Sequence, residues 1–137
     1  MQNDNILEIE TTIEKPFLRW AGGKRWLIKH LPGLLPKQFN DYHEPFLGGA
    51  SIFLYLKSCN LIQNHSFLSD FNSDLINVYK QLQNNSQEII NLLKTYKNER
   101  DFYYSIRAVR PQNEIEKAAI FIYLNLSLIH ISEPTRQ

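Results

Sequence analysis

The sequence holds a single cysteine, Cys59, so no disulfide can form within the chain. That agrees with a reducing compartment, and a cytoplasmic location is the expectation. No stretch stays apolar for the roughly 20 residues that a bilayer-spanning helix needs, so no membrane partner is expected. Residues 1–14 are polar and lean acidic, without the basic patch and apolar core of a secretory signal. Residues 1–15 are therefore expected to form a poorly ordered leader. Neither sign of charge dominates: 15 Lys and Arg stand against 14 Asp and Glu, for a net +1. The total charge names no partner, and a basic nucleic-acid face would have to lie inside a near-neutral sum. No His/Cys cluster has the spacing of a metal site, so no metal is expected. There is no internal repeat, and the abundant Asn and Gln are dispersed rather than gathered in a low-complexity tract.

What is present is an ordinary globular composition, 43% hydrophobic over 137 residues. That fits one domain or a piece of a larger one. Residues 24–31 suggest a short helix ending near Pro32 and Gly33. Residues 41–46 suggest a strand closed by Gly48 and Gly49, residues 50–57 an apolar helix, and residues 66–70 a second short strand. From Asn72 onward the pattern turns helical. Leu75, Ile76, Tyr79 and Leu82 recur at three- and four-residue spacing. Ser86 is the expected N-cap of a separate helix, and further helices are expected over 101–109 and 113–125, the last with Ile115, Ala118, Ala119, Ile122 and Tyr123 as its apolar face. Strand, glycine turn, helix, strand and then helices is how an α/β doubly wound fold begins.

Three segments carry candidate chemistry. In FLRWAGGK, residues 17–24, paired glycines let a ligand approach the backbone, Lys24 adds positive charge, and Trp20 offers a flat face to a ring or a sulfonium. The same residues also suit a surface turn beside a core tryptophan. In YHEPFLGGAS, residues 42–51, a strand runs through Gly48 and Gly49 into an apolar helix, as in nucleotide-binding turns. Glu44 and Pro45 stand at its carboxyl end, where ligands bind. The full G-x-G-x-x-G of dinucleotide enzymes is missing, which disfavours a nicotinamide cofactor, and a plain strand-to-helix turn fits equally. In SDFNSDLI, residues 69–76, Asp70 lies about twenty residues beyond the glycine turn, where such folds place an acid against ribose hydroxyls. Asp70 or Asn72 could equally cap the following helix.

Taken in order, FLRWAGGK, YHEPFLGGAS and SDFNSDLINVY resemble three successive signature segments of the Dam-type DNA adenine methyltransferases. Phe102–Arg107, FYYSIR, resembles a further family segment, and AAIFIYLN over 118–125 resembles the helix leading into a family loop. The likeness covers residues 16–125. It implies the N-terminal part of a Rossmann-like fold with an incomplete sheet, S-adenosyl-L-methionine as cofactor, and double-stranded DNA as the partner of the parent protein. It further implies that Trp20, Lys24 and Asp70 contact the cofactor, with Asp70 on the ribose. The turn at Phe46, Leu47, Gly48 and Gly49 would pass close to it. The alternatives from other classes are a non-catalytic cofactor-binding fragment, another Rossmann-like nucleotide-cofactor protein, and a helical interaction protein. Arg19, His43 and Cys59 receive no role.

The resemblance also implies a catalytic Asp-Pro-Pro-Tyr segment and a base-reading region, and neither occurs in this sequence. No catalytic residue is assigned, and the chain alone is expected to be inactive. Residues 126–137 depart from the family pattern, and ISEPTR within them resembles the translation of a sequencing-adapter read-through. They are expected to be a non-native tail, the alternative being a divergent natural C-terminus.

Overall fold

In the computed structural model residues 15–127 are described, and the chain divides between Phe71 and Asn72 into two compact units. The leader expected at 1–15 and the tail expected at 126–137 fall mainly on residues 1–14 and 128–137, outside the described residues.

The first unit is organised by a parallel strand pair. β1 (Tyr42–Glu44) pairs with β2 (Ser66–Leu68) in the register Tyr42↔Ser66, His43↔Phe67, Glu44↔Leu68. Both strands are shorter than the spans 41–46 and 66–70 read from the sequence. Pro45 has no N–H to give to the ladder, which ends regular pairing there. Hydrogen bonds nevertheless continue past it: Ser69 N–H donates to the Glu44 carbonyl at 2.9 Å, and Leu47 N–H to the Ser69 carbonyl at 3.0 Å. At the other end an isolated parallel bridge joins Phe39 to Ile62.

The crossover between the strands is α1 (Ser51–Ser58), which begins after Ala50 in the left-handed region at φ 65°. Ala50 is 2% exposed, so this costly conformation is held inside packed structure. Ile52, Tyr55 and Leu56 of α1 pack with Leu31 and Ile62 in a core cluster that Leu27, Leu35, Phe39 and Tyr42 surround. Leu31 comes from a 3-10 helix, Arg25–Gly33, where a short helix over 24–31 was expected. The segment continues through Pro32, which gives it no N–H there. The described residues thus form a mixed α/β architecture with a two-stranded parallel sheet in β-α-β order.

The second unit is helical. α2 (Ser73–Thr95) starts at Asn72, whose side chain accepts from the N–H groups of Asp74 and Leu75 at 3.1 Å. α2 covers two expected helices joined through a kink. The break falls at Asn85 (φ −138°, ψ 36°) rather than at a Ser86 cap. Asn85 donates its amide back to Gln81 at 2.7 Å, Gln81 donates to Asn77, and Asn77 to the Glu114 carbonyl. That chain of amides binds the kinked helix to the start of α4 (Glu114–Leu126), which packs along α2. Leu75, Val78 and Ile89 of α2, and Ala118, Ala119, Ile120 and Ile122 of α4, are buried. Between them in sequence, α3 (Arg100–Arg107) turns Tyr103 and Ile106 inward. Tyr96, Phe102 and Tyr123 meet edge-on or tilted, with centroids 5.4–5.8 Å apart.

The entry to α4 is doubly capped. Asn113 accepts from Glu116 N–H at 2.8 Å, and the Glu116 carboxylate accepts from Gln112 N–H. Asn113→Ala removes the forward cap and is expected to lower stability by about 1 kcal/mol, read as a shift in the urea midpoint. An unchanged midpoint would show that the Glu116 bond alone secures this end.

Candidate functional site

Where β1 runs into α1 the backbone turns sharply. Gly48 takes φ +53°, and the Leu47 carbonyl accepts from Ala50 N–H at 3.0 Å to close the turn. Gly48 N–H donates to Asp70 Oδ2 at 2.9 Å, tying the turn to the residue just beyond β2. The Trp20 indole lies over this backbone. A β-carbon on Gly48 would come within 3.1 Å of Trp20 Cδ1, and one on Gly49 within 3.5 Å of Trp20 Cβ. Glycine at 48 is therefore required twice, by its dihedral and by the ring beside it. Upstream, Gly22 also has positive φ, +73°, in the bend that leads from Trp20 to Lys24.

Lys24 closes the other side. Its Nζ lies 3.1 Å from Glu44 Oε1 and also donates to the Phe46 carbonyl. Glu44 is only 6% exposed. A carboxylate so buried needs partners for both oxygens, and the second is Tyr42, whose hydroxyl donates to Glu44 Oε2 at 2.8 Å. Tyr42 and Glu44 are two residues apart on a strand, hence on one face. Burial pushes the Tyr42 hydroxyl well above its ordinary pKa, and the bond to Glu44 and the charge of that carboxylate push the same way.

Trp20, Lys24, Phe46, Gly48, Gly49 and Asp70, the six residues expected at a cofactor, all line one cavity of about 190 Å³, together with Glu44 and Ser51. That volume lies below the roughly 300–1,000 Å³ usual for small-molecule sites. Its charged lining groups are Lys24, Glu44 and Asp70, which sum to one negative charge when all are ionised. Glu44 was legible as a residue at the carboxyl end of a strand, but nothing in the sequence announced its pairing with both Lys24 and Tyr42.

The residues left without a role lie elsewhere. Arg19 is exposed and does not line the cavity. His43 points to the opposite face of β1, stacked on Phe67 with centroids 4.6 Å apart, beside a wider and shallower depression. Cys59 packs against the apolar cluster of α1. Among the described residues no group of three or more His, Cys, Asp or Glu side chains could hold a metal, and no helix is long and apolar enough to cross a membrane.

Gly48→Ala is expected to cost about 1–2 kcal/mol through its left-handed dihedral and to displace the Trp20 indole. Urea unfolding followed by tryptophan fluorescence reads both effects, and an unaltered emission spectrum would count against the packing described. Alkaline titration tests Tyr42. Its folded pKa lies above the ordinary 10.0, so the neutral hydroxyl's contribution to stability is complete below about pH 10 and fades as pH rises further. Ultraviolet titration of the folded chain should show fewer than the seven tyrosines ionising near the ordinary value, and Tyr42→Phe should remove one of the late ones. Uniform ionisation of all seven in folded protein would contradict this.

The model of the D12 class N6 adenine-specific DNA methyltransferases matches residues 20–132. The chain is 33% identical over 128 residues to the type II methyltransferase M1.LlaDCHI of Lactococcus lactis subsp. cremoris, covering 88% of this chain and 43% of that protein. It is 33% identical over 134 residues to the type II methyltransferase M.MjaIII of Methanocaldococcus jannaschii, covering 81% and 45%. To the DNA adenine methylase of Haemophilus influenzae it is 33% identical over 118 residues, covering 81% and 40%. The chain thus spans less than half the length of these curated relatives. With the match running through the tryptophan, glycine-turn and aspartate segments alike, the chain belongs to the D12 class N6 adenine-specific DNA methyltransferase family.

Proposed function

We propose that this chain forms the S-adenosyl-L-methionine-binding part of a site-specific DNA methyltransferase that modifies adenine N6 in double-stranded DNA. On this reading the β-α-β unit is the start of a Rossmann-like sheet. The observation that carries the proposal is the convergence of Trp20, Lys24, the Gly48–Gly49 turn and Asp70 on one cavity at the carboxyl ends of two parallel strands, in a chain of this family.

The donor and acceptor set fits that cofactor. Asp70, fixed by Gly48 N–H, accepts from ribose hydroxyls. Lys24 retains one ammonium N–H beyond its bonds to Glu44 and the Phe46 carbonyl, and meets the carboxylate of the methionine part. Trp20 presents a ring that suits a neighbouring cation. The single negative charge of the lining favours a ligand carrying net positive charge and opposes a polyphosphate. When bound, the cofactor supplies an electrophilic methyl group on a sulfonium. The residues described here bind and orient, and alignment is a large part of such a transfer. The target adenine must leave the duplex stack to reach the methyl group, and none of the described residues is assigned to that step.

Calorimetry on the 137-residue chain tests the reading. S-adenosylmethionine should bind and NAD should not, and Asp70→Ala and Trp20→Ala should each weaken binding by about tenfold or more. Equal affinity for NAD, or unchanged affinity in both variants, would sink it.

A further inference from the structure

Tyr42 is not part of the cavity wall, yet its hydroxyl ends on the buried carboxylate that holds Lys24. We propose that Tyr42 is a positioning residue: acting through Glu44, it fixes the Lys24 ammonium where the ligand's carboxylate is received. The proposal rests on the reading of the cavity as an S-adenosylmethionine site.

The physical case is one of satisfied and unsatisfied valences. Glu44 has two carboxylate oxygens in a largely buried setting, its side chain 7% exposed. Oε1 takes Lys24 and Oε2 takes Tyr42, so rotating the carboxylate breaks one of the two bonds that satisfy a largely buried charge. Lys24, by contrast, has a flexible four-carbon stem and a side chain 37% exposed, and left to itself would sample many positions. Pinned between Glu44 Oε1 and the Phe46 carbonyl, its ammonium presents a single remaining N–H in one direction. Without the Tyr42 hydroxyl, Glu44 Oε2 loses its donor. The carboxylate is then held at one oxygen only and can turn, carrying the Lys24 ammonium bonded to it off the Phe46 carbonyl and away from its place in the cavity wall.

A purely structural Tyr42 would be a ring in the apolar cluster around Leu31 and Leu56, with a hydroxyl that is merely satisfied. The two roles separate by ligand. Tyr42→Phe keeps the ring and removes the hydroxyl. Calorimetry compares S-adenosylmethionine with decarboxylated S-adenosylmethionine, which lacks only the group assigned to Lys24. In folded Tyr42→Phe, affinity for S-adenosylmethionine should fall about tenfold. Affinity for the decarboxylated ligand should stay within about twofold. Tyr42→Leu, which also removes the hydroxyl and leaves the charges of the cavity lining intact, should give the same contrast and serves if Tyr42→Phe does not fold. Lys24→Met should remove the effect of a second change at Tyr42. Equal loss for both ligands in the variants, or no loss for either, overturns the positioning role. A wild-type chain that binds the two ligands equally well overturns it as well, because Lys24 then does not receive the carboxylate. A wild-type chain that binds neither ligand defeats the underlying cofactor reading, a result distinct from all of these.

Discussion

A carboxylate taken out of water at the end of a strand sets most of the terms in the first unit. Glu44 stands where β1 gives way to the glycine turn and is nearly inaccessible. Leaving such a charge without partners is far more costly than a single hydrogen bond is stabilising. Its two compensating groups come from different places: Tyr42 from the same strand face, Lys24 from the loop before the 3-10 helix. Satisfying Glu44 therefore folds the N-terminal loop back onto the strand end and brings Trp20 over Gly48 and Gly49. One constraint thus gathers two of the three sequence segments. The third is gathered by the bond from Gly48 N–H to Asp70.

How much of this was legible in the sequence depends on whether the cue was local. The order of strand, turn, helix and strand was readable because glycine pairs and apolar runs mark it within a few residues, and all six candidate cavity residues lie in segments with such marks. The pairing of Tyr42 and Glu44 was not readable in the same way. Two residues at i and i+2 become neighbours only once the segment is known to be a strand, and their link to Lys24 spans twenty positions. The lengths of the strands were overestimated because composition continues past Pro45 while the regular ladder does not. At α2 the reading of two helices captured a real break but placed it on Ser86, although the neighbouring asparagine is an equally good N-cap former. The structure puts the irregular dihedral on Asn85, whose side chain turns back to Gln81. Val78 of α2 was missed as a core position although it is fully buried and stands three residues from Leu75, because the larger Ile76 and Tyr79 beside it carried the apolar pattern.

The second unit is held by different physics. Its helices are joined by buried alanines, an aromatic cluster and amide bonds rather than by charge. Ala118 and Ala119 have no exposed surface, and small residues at such points allow helix axes to approach closely. An ion pair there, Lys117 with Asp74 at 3.1 Å, joins side chains that are each about half exposed, and pairs of that kind contribute little. Charge placed on the surface of a helix pair can vary at small cost, whereas the buried charge of Glu44 cannot.

The glycine turn has the outline of a phosphate-binding loop but not its chemistry. Loops that cradle phosphate leave backbone N–H groups and a lysine facing the anion. Here Gly48 N–H is given to the Asp70 carboxylate, and Lys24 gives two of its three N–H groups to Glu44 and the Phe46 carbonyl, so one lysine N–H, rather than a cradle of donors, is left for a single carboxylate. What the cavity gains instead is excess negative charge beside an aromatic ring. The same backbone turn can therefore serve opposite ligand charges. The choice between them is made by which side chains, Glu44 and Asp70 in this chain, reach the turn before a ligand does.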